Sequence, residues 1–264
     1  MHKCKLFAGV FAMLVVLAGC GGGGDDSSSL PPVPGGGGGG ASYDAASATA
    51  TVTGNIVFEG EVPEAARIQM AADPFCQSHN EGATSQEVLV TDGGQLQNVI
   101  LYVRSGHEGA SYSVPGDAIV INQQDCTYAP HVFTMIANQD LTIKNSDTTL
   151  HNIHAFAEVN MPFNIGQPVE GMETTKTFEQ PEMPLPIRCD VHRWMSAFVG
   201  VFDHPFHTTS GDTGSYELKL PPGTYEIVAW HEKYGEQIST LEVADAESAE
   251  LNFTFSAGAE GTSE

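Results

Sequence analysis

The chain has 264 residues, of which 33 are Asp or Glu and only 10 are Lys or Arg, so its formal net charge is −23. A surface this acidic argues strongly against nucleic acid as a partner, because binding phosphates requires the opposite charge. It suits a basic protein partner, or solubility in a salty medium.

Residues 1–20 have the features of a secretion signal. Two lysines precede a short apolar run, LFAGVFAMLVVLAG, which ends in Leu-Ala-Gly-Cys20. The run is too short to span a bilayer comfortably, and small residues follow it. The segment resembles the lipobox of bacterial lipoproteins, with a plain signal peptide as the alternative. The resemblance implies lipidation of Cys20 and anchoring in the outer membrane of a Gram-negative bacterium, facing the periplasm or the cell surface.

Residues 21–48 are rich in Gly, Ser and Pro and offer almost no apolar surface to bury, so we expect a disordered tether. Residues 257–264 are polar and small, and we expect a disordered tail. Between them remain roughly 200 residues, enough for one large β-domain or two small ones.

The rest of the sequence predicts an almost all-β fold. Short apolar, β-branched and aromatic runs are separated by Gly, Pro, Asn and Asp at the spacing of a β-sandwich. The runs are TVTGNIVFEG, QEVLVTDGG, QNVILYVRSG, DAIVIN, HVFTMIANQDLTIKNSD, SAFVGVFDH, GSYELKLPPGTYEIVAWHE and AELNFTF. Only PEAARIQMA predicts a turn or two of helix. Neither a phosphate-binding glycine loop nor a serine nucleophile elbow occurs in the sequence, and we expect no enzyme activity.

The stretch CDVHRWM, residues 189–195, presents cysteine, histidine and methionine in the spacing C-x2-H-x2-M. Thiolate, imidazole and thioether are soft ligands that favour copper over magnesium or calcium. Residues 141–156, LTIKNSDTTLHNIHAF, offer a further imidazole. On a strand, His151 shares a face with Ile153, so a core-facing Ile153 turns His151 inward too.

The same alternation places Ile187 and Cys189 on one face of a second strand. Two neighbouring strand ends would then bring His151 and Cys189 together, and the loop after Cys189 would return His192 and Met195. Two imidazoles, one thiolate and a weak axial thioether are the ligand set of a mononuclear blue-copper centre.

The motifs NSDTTLHNIH and CDVHRWM, in which Cys189 comes 38 residues after His151, resemble those of the cupredoxins, and the short second motif is most similar to the plastocyanin/amicyanin-like members. The resemblance implies a Greek-key β-sandwich over residues 116–204 and one type 1 copper ion. It implies that Asn152 ties the first ligand strand to the cysteine loop, and that His192 lies at the surface as the electron gate. The implied copper ligands are His151, Cys189, His192 and Met195.

A copper ion with four protein ligands has no open position for substrate, so one-electron transfer is the expected activity, with a redox protein such as a cytochrome as partner. Copper capture or delivery is an alternative, and a structural surface module is another. Zinc could occupy the same ligands. Trp194 would either form an apolar docking rim or pack inward.

Cys76, Cys126 and Cys189 would remain in an oxidising compartment after signal removal. The simplest arrangement is a Cys76–Cys126 disulfide, which leaves Cys189 free to bind metal. Closing that loop would contribute on the order of 4 kcal/mol in the chain-entropy model. The alternative is a second metal site that combines both cysteines with His79.

The flanking segments resemble another family. Residues 211–232, GDTGSYELKLPPGTYEIVAWHE, and residues 52–60, VTGNIVFEG, are similar to the carboxypeptidase regulatory-like, or transthyretin-like, β-sandwich. The resemblance implies scaffolding or adhesion rather than peptidase activity. We expect residues 49–115 and 205–256 to pack together around the copper-binding portion.

Overall fold

A computed structural model of the chain describes residues 41–258. The predicted signal peptide, Cys20, most of the predicted tether and residues 259–264 lie outside the described residues. Between residues 41 and 258, no helix is both long enough and apolar enough to cross a membrane.

The described chain is nearly all β, which confirms the predicted fold class. The strands are β1 (Ala41–Ser42), β2 (Ala50–Glu59), β3 (Ile100–Ser105), β4 (Ala110–Ser111), β5 (Ile119–Gln124), β6 (Thr127–Ala129), β7 (Val132–Ile136), β8 (Leu141–Asn145), β9 (His151–Ala155), β10 (Phe163–Gln167), β11 (Glu173–Lys176), β12 (Glu182–Arg188), β13 (Ser196–Phe202), β14 (His207–Thr209), β15 (Ser215–Leu220), β16 (Gly223–His231), β17 (Gly235–Val243), β18 (Ser248–Glu250) and β19 (Phe253–Ser256). The helical elements are α1 (Pro74–His79) and two 3-10 helices at Ala45–Ser47 and Gly211–Thr213.

Strands β5 to β13 form a sandwich that we call the site sandwich. One sheet has the order β10-β9-β12-β13-β7 and the other β11-β8-β5-β6. Both sheets are mostly antiparallel, but β13 pairs with β7, and β5 with β8, in parallel. Their inner faces enclose one apolar core, to which both sheets contribute buried side chains.

A second sandwich is built from strands that precede and follow the site sandwich in the chain. Its sheets have the orders β14-β3-β16-β17 and β15-β2-β18, and β19 also pairs with β2. Strand β2 therefore bonds to β15 along one edge and to β18 and β19 along the other. The core of this sandwich lies between the two sheets.

A further apolar layer joins the two sandwiches. Along β3, Leu101 and Val103 face the core of the second sandwich, whereas Ile100 and Tyr102 face this layer. Phe198 of β13 packs into it from the site sandwich. Because β3 is buried on both faces, its sequence is a continuous apolar run rather than an alternating one. Full burial of each such large side chain stabilises the fold by about 1.5–3 kcal/mol.

Three local predictions are wrong or incomplete. The stretch PEAARIQMA, residues 63–71, contains no helix; α1 begins just after it. The stretch QEVLVTDGG, residues 86–94, forms no strand; Val90 makes an isolated bridge with Leu96, and Val88 packs into the core of the second sandwich. Strand β17 was not predicted from the sequence, because it alternates between half-buried and exposed residues and contains Gly, Glu and Gln.

Helix α1 begins at Pro74 because Asp73 caps it. The Asp73 Oδ1 atom accepts hydrogen bonds from the backbone N–H groups of Phe75, at 2.8 Å, and Cys76, at 3.3 Å. Asp at the N-cap followed by Pro in the first turn is a strong start signal. Residues 68–80, which contain this helix, pack onto the core of the site sandwich, and we call them the cap segment.

Candidate metal centre

The ends of two hydrogen-bonded strands position the predicted ligands. His151 is the first residue of β9, and Cys189 follows directly after β12. Strands β9 and β12 pair antiparallel, with Arg188 opposite His154. His151 is 0% exposed and Cys189 2% exposed, so strand alternation has turned both side chains into the core.

A compact loop connects Cys189 to β13. The backbone N–H of Cys189 donates to the carbonyl of Met195 at 3.2 Å, and the N–H of Met195 donates to the carbonyl of His192 at 2.9 Å. The N–H of His192 donates to Cys189 Sγ at 3.3 Å. These three bonds fold the loop back over the strand ends, and Met195 is buried in the same core.

The structure brings His151, Cys189 and His192 together, with their ligand atoms all within 4.8 Å of one another. The two Nδ1 atoms are 2.9 Å apart, and His192 Nδ1 is 3.9 Å from Cys189 Sγ. With metal–nitrogen bonds of about 2.0–2.1 Å and a metal–sulfur bond of about 2.3 Å, one ion can reach these atoms at an angle of about 90° between the two nitrogens and about 125° between His192 Nδ1 and the sulfur. The donor set therefore fits a single ion.

Two aspartates determine which nitrogen of each ring carries the proton. Asp147 Oδ2 lies 2.8 Å from Nε2 of His151, and Asp73 Oδ2 lies 3.0 Å from Nε2 of His192. Burial raises the pKa of each carboxyl, but the hydrogen bonds that each accepts outweigh it and lower the pKa. Ionised carboxylates only accept hydrogen bonds, so each Nε2 donates and each Nδ1 of a neutral ring keeps a lone pair.

The lone pairs of the two Nδ1 atoms, 2.9 Å apart, repel each other unless both nitrogens bind the same cation. A metal ion satisfies both, and a shared proton is the only simpler solution. The carboxylate–imidazole arrangement is the one that orients histidine ligands in metal sites.

The Cys189 thiol is prepared for ionisation. Burial raises its pKa, whereas hydrogen bonds with His151, His192 and nearby backbone N–H groups lower it, and the result is a pKa of about 6. A thiol with this pKa is largely thiolate at neutral pH, the form that binds metals.

Asn152 connects the segment that carries His151 to the segment that carries Cys189. Its Oδ1 atom accepts hydrogen bonds from the backbone N–H groups of Asp190, at 2.7 Å, and Val191, at 3.3 Å. While Cys189 is protonated, its thiol also donates to this atom, at 3.2 Å. Asn152 is buried next to His151 on β9. One amide oxygen thus fixes the start of the cysteine loop relative to the histidine strand.

Asp147 is itself held by an unusual turn between β5 and β6. The two turn residues, Asp125 and Cys126, have φ angles of 52° and 56°, and Gln124 pairs with Thr127 around them. Positive φ at both positions is typical of a type I′ turn, which favours Asn-Gly rather than residues with bulkier side chains. The carboxylate of Asp147 accepts both turn N–H groups at 2.8 Å, which offsets this cost.

Cys76 and Cys126 form a disulfide with an S–S distance of 2.02 Å, and Cys189 is the free cysteine of the described residues. The two bonded sulfurs are therefore not thiolate ligands of a second metal ion. His79 is exposed and stacks on Phe75, with ring centroids 3.9 Å apart.

The prediction that His192 lies at the surface is wrong. His192 is only 2% exposed, because the cap segment lies over its outer edge. Asp73 contacts its Nε2 atom, and Cys76 Sγ is 3.7 Å from the same nitrogen. The Trp194 ring packs beside it, with centroids 5.0 Å apart. The disulfide ties this cover to the turn that holds Asp147.

Trp194 packs inward more than it forms a rim. The side chain is half-buried, and its Nε1 donates to the carbonyl of Cys126 at 3.0 Å. His154, which the sequence analysis left out of the ligand set, is directed away from the cluster and contacts Asp190 at 3.1 Å.

Asp73 and Asp147 are the functional residues that the sequence analysis missed. Asp147 precedes His151 by four residues in NSDTTLH, so a local signal existed. Asp73 was visible only as a helix cap in DPFC, and its contact with His192 spans 119 residues of sequence.

No protein-family model and no curated protein matches the chain. Among solved structures, a Cu-containing nitrite reductase (NirK) from Thermus scotoductus SA-01 matches at 15% identity and a TM-score of 0.32, over 35% of this chain and 24% of that chain. A novel purple cupredoxin from Nitrosopumilus maritimus matches at 20% identity and a TM-score of 0.28, over 31% of this chain and 98% of that chain. An oxidised mutant of amicyanin matches at 20% identity and a TM-score of 0.30, over 38% of this chain and 97% of that chain. The case for a metal centre rests on the geometry of this chain's own residues.

Proposed function

We propose that His151, Cys189 and His192 bind one copper ion, with Met195 as a weak fourth ligand, and that the protein is a one-electron carrier. The observation that supports this most directly is the pair of Nδ1 atoms held face to face by two carboxylates beside a thiol with a pKa of about 6. Thiolate, imidazole and thioether together favour copper over harder ions.

Copper bound in such a site exchanges one electron as it alternates between two oxidation states. The chain's part is to hold the donors in one arrangement for both states. Asn152 fixes the cysteine loop and Asp147 fixes the His151 ring, so little has to move. Burial of His151 and Cys189 keeps water away from the donors, and four protein donors leave no position for substrate.

The burial of His192 favours electron transfer over copper delivery. An electron crosses packed protein without any ligand leaving its place, whereas release of an ion requires the donors to be exposed. Here the cap segment covers His192, and the Cys76–Cys126 disulfide holds that segment down. A covered site retains its ion and exchanges electrons through its cover.

We propose a basic redox partner such as a cytochrome, and an anchor at Cys20. A net charge of −23 favours encounter with a positively charged surface. Electron exchange should then slow as salt concentration rises, because screening weakens the attraction. The lipobox-like sequence before Cys20 supports a membrane anchor, and Cys20→Ala should move the protein from the membrane to the soluble fraction of expressing cells.

Addition of Cu(II) to the purified full chain tests the copper site. We expect an intense blue thiolate-to-copper absorption with one ion per chain. Cys189→Ser should abolish it, because the thiolate is lost. His154→Gln is the matched control and should keep the colour, since His154 contacts Asp190 outside the cluster. Colour that persists in Cys189→Ser would refute the assignment.

Kinetics separate the remaining alternatives. Rapid reversible exchange with a cytochrome, together with slow loss of copper to a Cu(I) chelator, supports the carrier. Slow electron exchange with fast loss of copper supports delivery. A chain that binds no copper and retains a titratable thiol supports a structural module, and tight zinc binding that copper cannot displace supports a zinc site.

A further inference from the structure

A cavity of about 310 Å³ lies beside the cysteine loop. Its lining includes Trp194 and Met195 of the cysteine loop. Glu232, in the turn between β16 and β17, and Glu87 also line it. Arg188 and Arg193 also line it. Two of the four arginines of a chain with 33 acidic residues thus meet at one cavity.

The guanidinium of Arg188 has hydrogen-bond donors to spare. It is half-buried, and its one hydrogen bond to a described residue goes to the neighbouring carbonyl of Ile187, at 3.1 Å. Its face stacks over the Phe198 ring, with Cζ 4.8 Å from the centroid. Stacking occupies the face of the group and leaves its in-plane N–H donors free.

Neither arginine has a carboxylate partner among residues 41–258. The ion pairs of the described chain include no partner within 4.0 Å for Arg188 or Arg193. Arg193 is exposed on the cysteine loop and makes no hydrogen bond with a described residue. A partly buried guanidinium without a directly paired anion is unfavourable, because it has lost water without gaining a hydrogen-bonded partner.

The two carboxylates that line the cavity are engaged elsewhere. Glu87 accepts a hydrogen bond from Lys233 Nζ at 3.0 Å, and Glu232 contacts Nε2 of His131. Each carboxylate therefore has a cationic or hydrogen-bonding partner of its own. Glu232 also acts on Arg188 electrostatically, but it forms no ion pair with it within 4.0 Å, so the N–H donors of Arg188 and the charge of Arg193 are left for a ligand.

We propose that this cavity binds a small oxyanion, a carboxylate or an inorganic anion, between Arg188 and Arg193. The planar guanidinium fork matches two oxygens of such a group. The cavity is at the small end of the range for small-molecule sites and is too small for a protein segment. The inference goes beyond the proposed electron transfer and does not depend on it.

The cavity shares Trp194 and Met195 with the candidate metal centre. Trp194 packs on His192, with ring centroids 5.0 Å apart, so a bound anion would lie behind the cysteine loop. If copper is bound, the negative charge should favour the more positive oxidised state and lower the reduction potential.

Calorimetry on the metal-free full chain tests the proposal. Acetate and oxalate serve as carboxylate probes, nitrate and phosphate as inorganic probes, and chloride at equal ionic strength as the control. We expect one saturable site for a carboxylate or an inorganic oxyanion and none for chloride. The two pairs of probes show which source of the oxyanion is preferred.

Arg193→Gln and Arg188→Gln should each weaken this binding at least ten-fold. Lys219→Gln is the charge-matched control, because Lys219 is exposed on β15, and it should leave binding unchanged. Arg193 is exposed, so its substitution leaves the fold intact even if Arg188→Gln does not. Absence of saturable oxyanion binding, or equal binding by all three variants, would overturn the proposal.

Discussion

Buried histidines occur in both halves of the molecule, but in opposite electrostatic settings. In the site sandwich, burial lowers the pKa of His151, but Asp147 and Cys189 outweigh that effect and raise it. Beyond β13, burial lowers the pKa of His204 to about 3 and that of His207 to about 4.

The difference shows what distinguishes a ligand from a packed histidine. Burial alone leaves an imidazole neutral and unoriented, and both ring nitrogens of His207 are buried without a hydrogen-bond partner within residues 41–258. A carboxylate behind His151 decides which nitrogen is protonated and directs the other one at a neighbour. The aspartates, rather than burial, give the imidazoles of the site sandwich an arrangement that fits a metal ion.

The site sandwich also has a covalent support that the described part of the second sandwich lacks. Replacing both Cys76 and Cys126 with Ala should lower the free energy of unfolding by about 4 kcal/mol, because a loop of 50 residues is no longer closed. Chemical denaturation measures it, with the reduced wild-type chain as the comparison. An unchanged midpoint would show that the cap segment is held by packing alone.

Acid should destabilise the region that contains His204 and His207. Their folded pKa values lie below the usual 6.5, so the unfolded chain binds more protons as the pH falls below 6.5. The stability that these two histidines contribute is therefore complete above about pH 6.5 and is lost toward pH 4, by roughly 2 kcal/mol for His207 at pH 5.

Thermal midpoints between pH 5 and pH 8 measure this loss. Ordinary carboxyl groups titrate mostly below that window. His207→Gln should flatten the dependence, because one titrating group is removed. A slope that is the same in His207→Gln and wild type would show that His207 is accessible to protons in the folded chain.

Asp147→Asn should lower copper affinity 10- to 100-fold, as is usual when the residue that orients a ligand is changed. The substitution replaces the buried Asp147 carboxylate with a neutral amide. That carboxylate accepts hydrogen bonds from His151 and from the backbone N–H groups of Asp125 and Cys126. Competition with a copper chelator measures the change. Asp140→Asn is the control, since Asp140 is exposed just before β8 and lies outside the cluster, and equal losses in both variants would show a non-specific charge effect.

Asp73→Asn should have a smaller effect, about ten-fold, because the side chain of Asp73 is 19% exposed and its field is partly screened by water. Asn caps helices as well as Asp does, so this change keeps the cap and alters the contacts of Oδ2 with His192 and Thr149. Asp73→Ala removes the cap too and should cost about 1 kcal/mol more in stability. If Asn matches wild type in copper affinity and only Ala loses stability, Asp73 acts only as a cap.

Local sequence was sufficient for the all-β class and for the meeting of His151 with Cys189, because strand alternation and short loops are local properties. The continuous apolar run in β3 was also readable, since burial on both faces leaves no polar positions. Strand β17 was missed because its exposed, polar alternation resembles a loop.

The packing of the cap segment over His192 could not be predicted from the sequence. It depends on the chain between β2 and β3 crossing to the site sandwich, which is decided by tertiary packing of residues such as Met70 rather than by a local pattern. A resemblance based on two motifs could not include this segment, and the predicted surface position of His192 was wrong for that reason.

X-ray absorption at the copper edge of the copper-loaded full chain tests the central claim most directly. The account predicts one short bond to sulfur and two to imidazole nitrogen, with the sulfur lost in Cys189→Ser. A copper ion surrounded by nitrogen and oxygen alone, with no short sulfur contact, would contradict it.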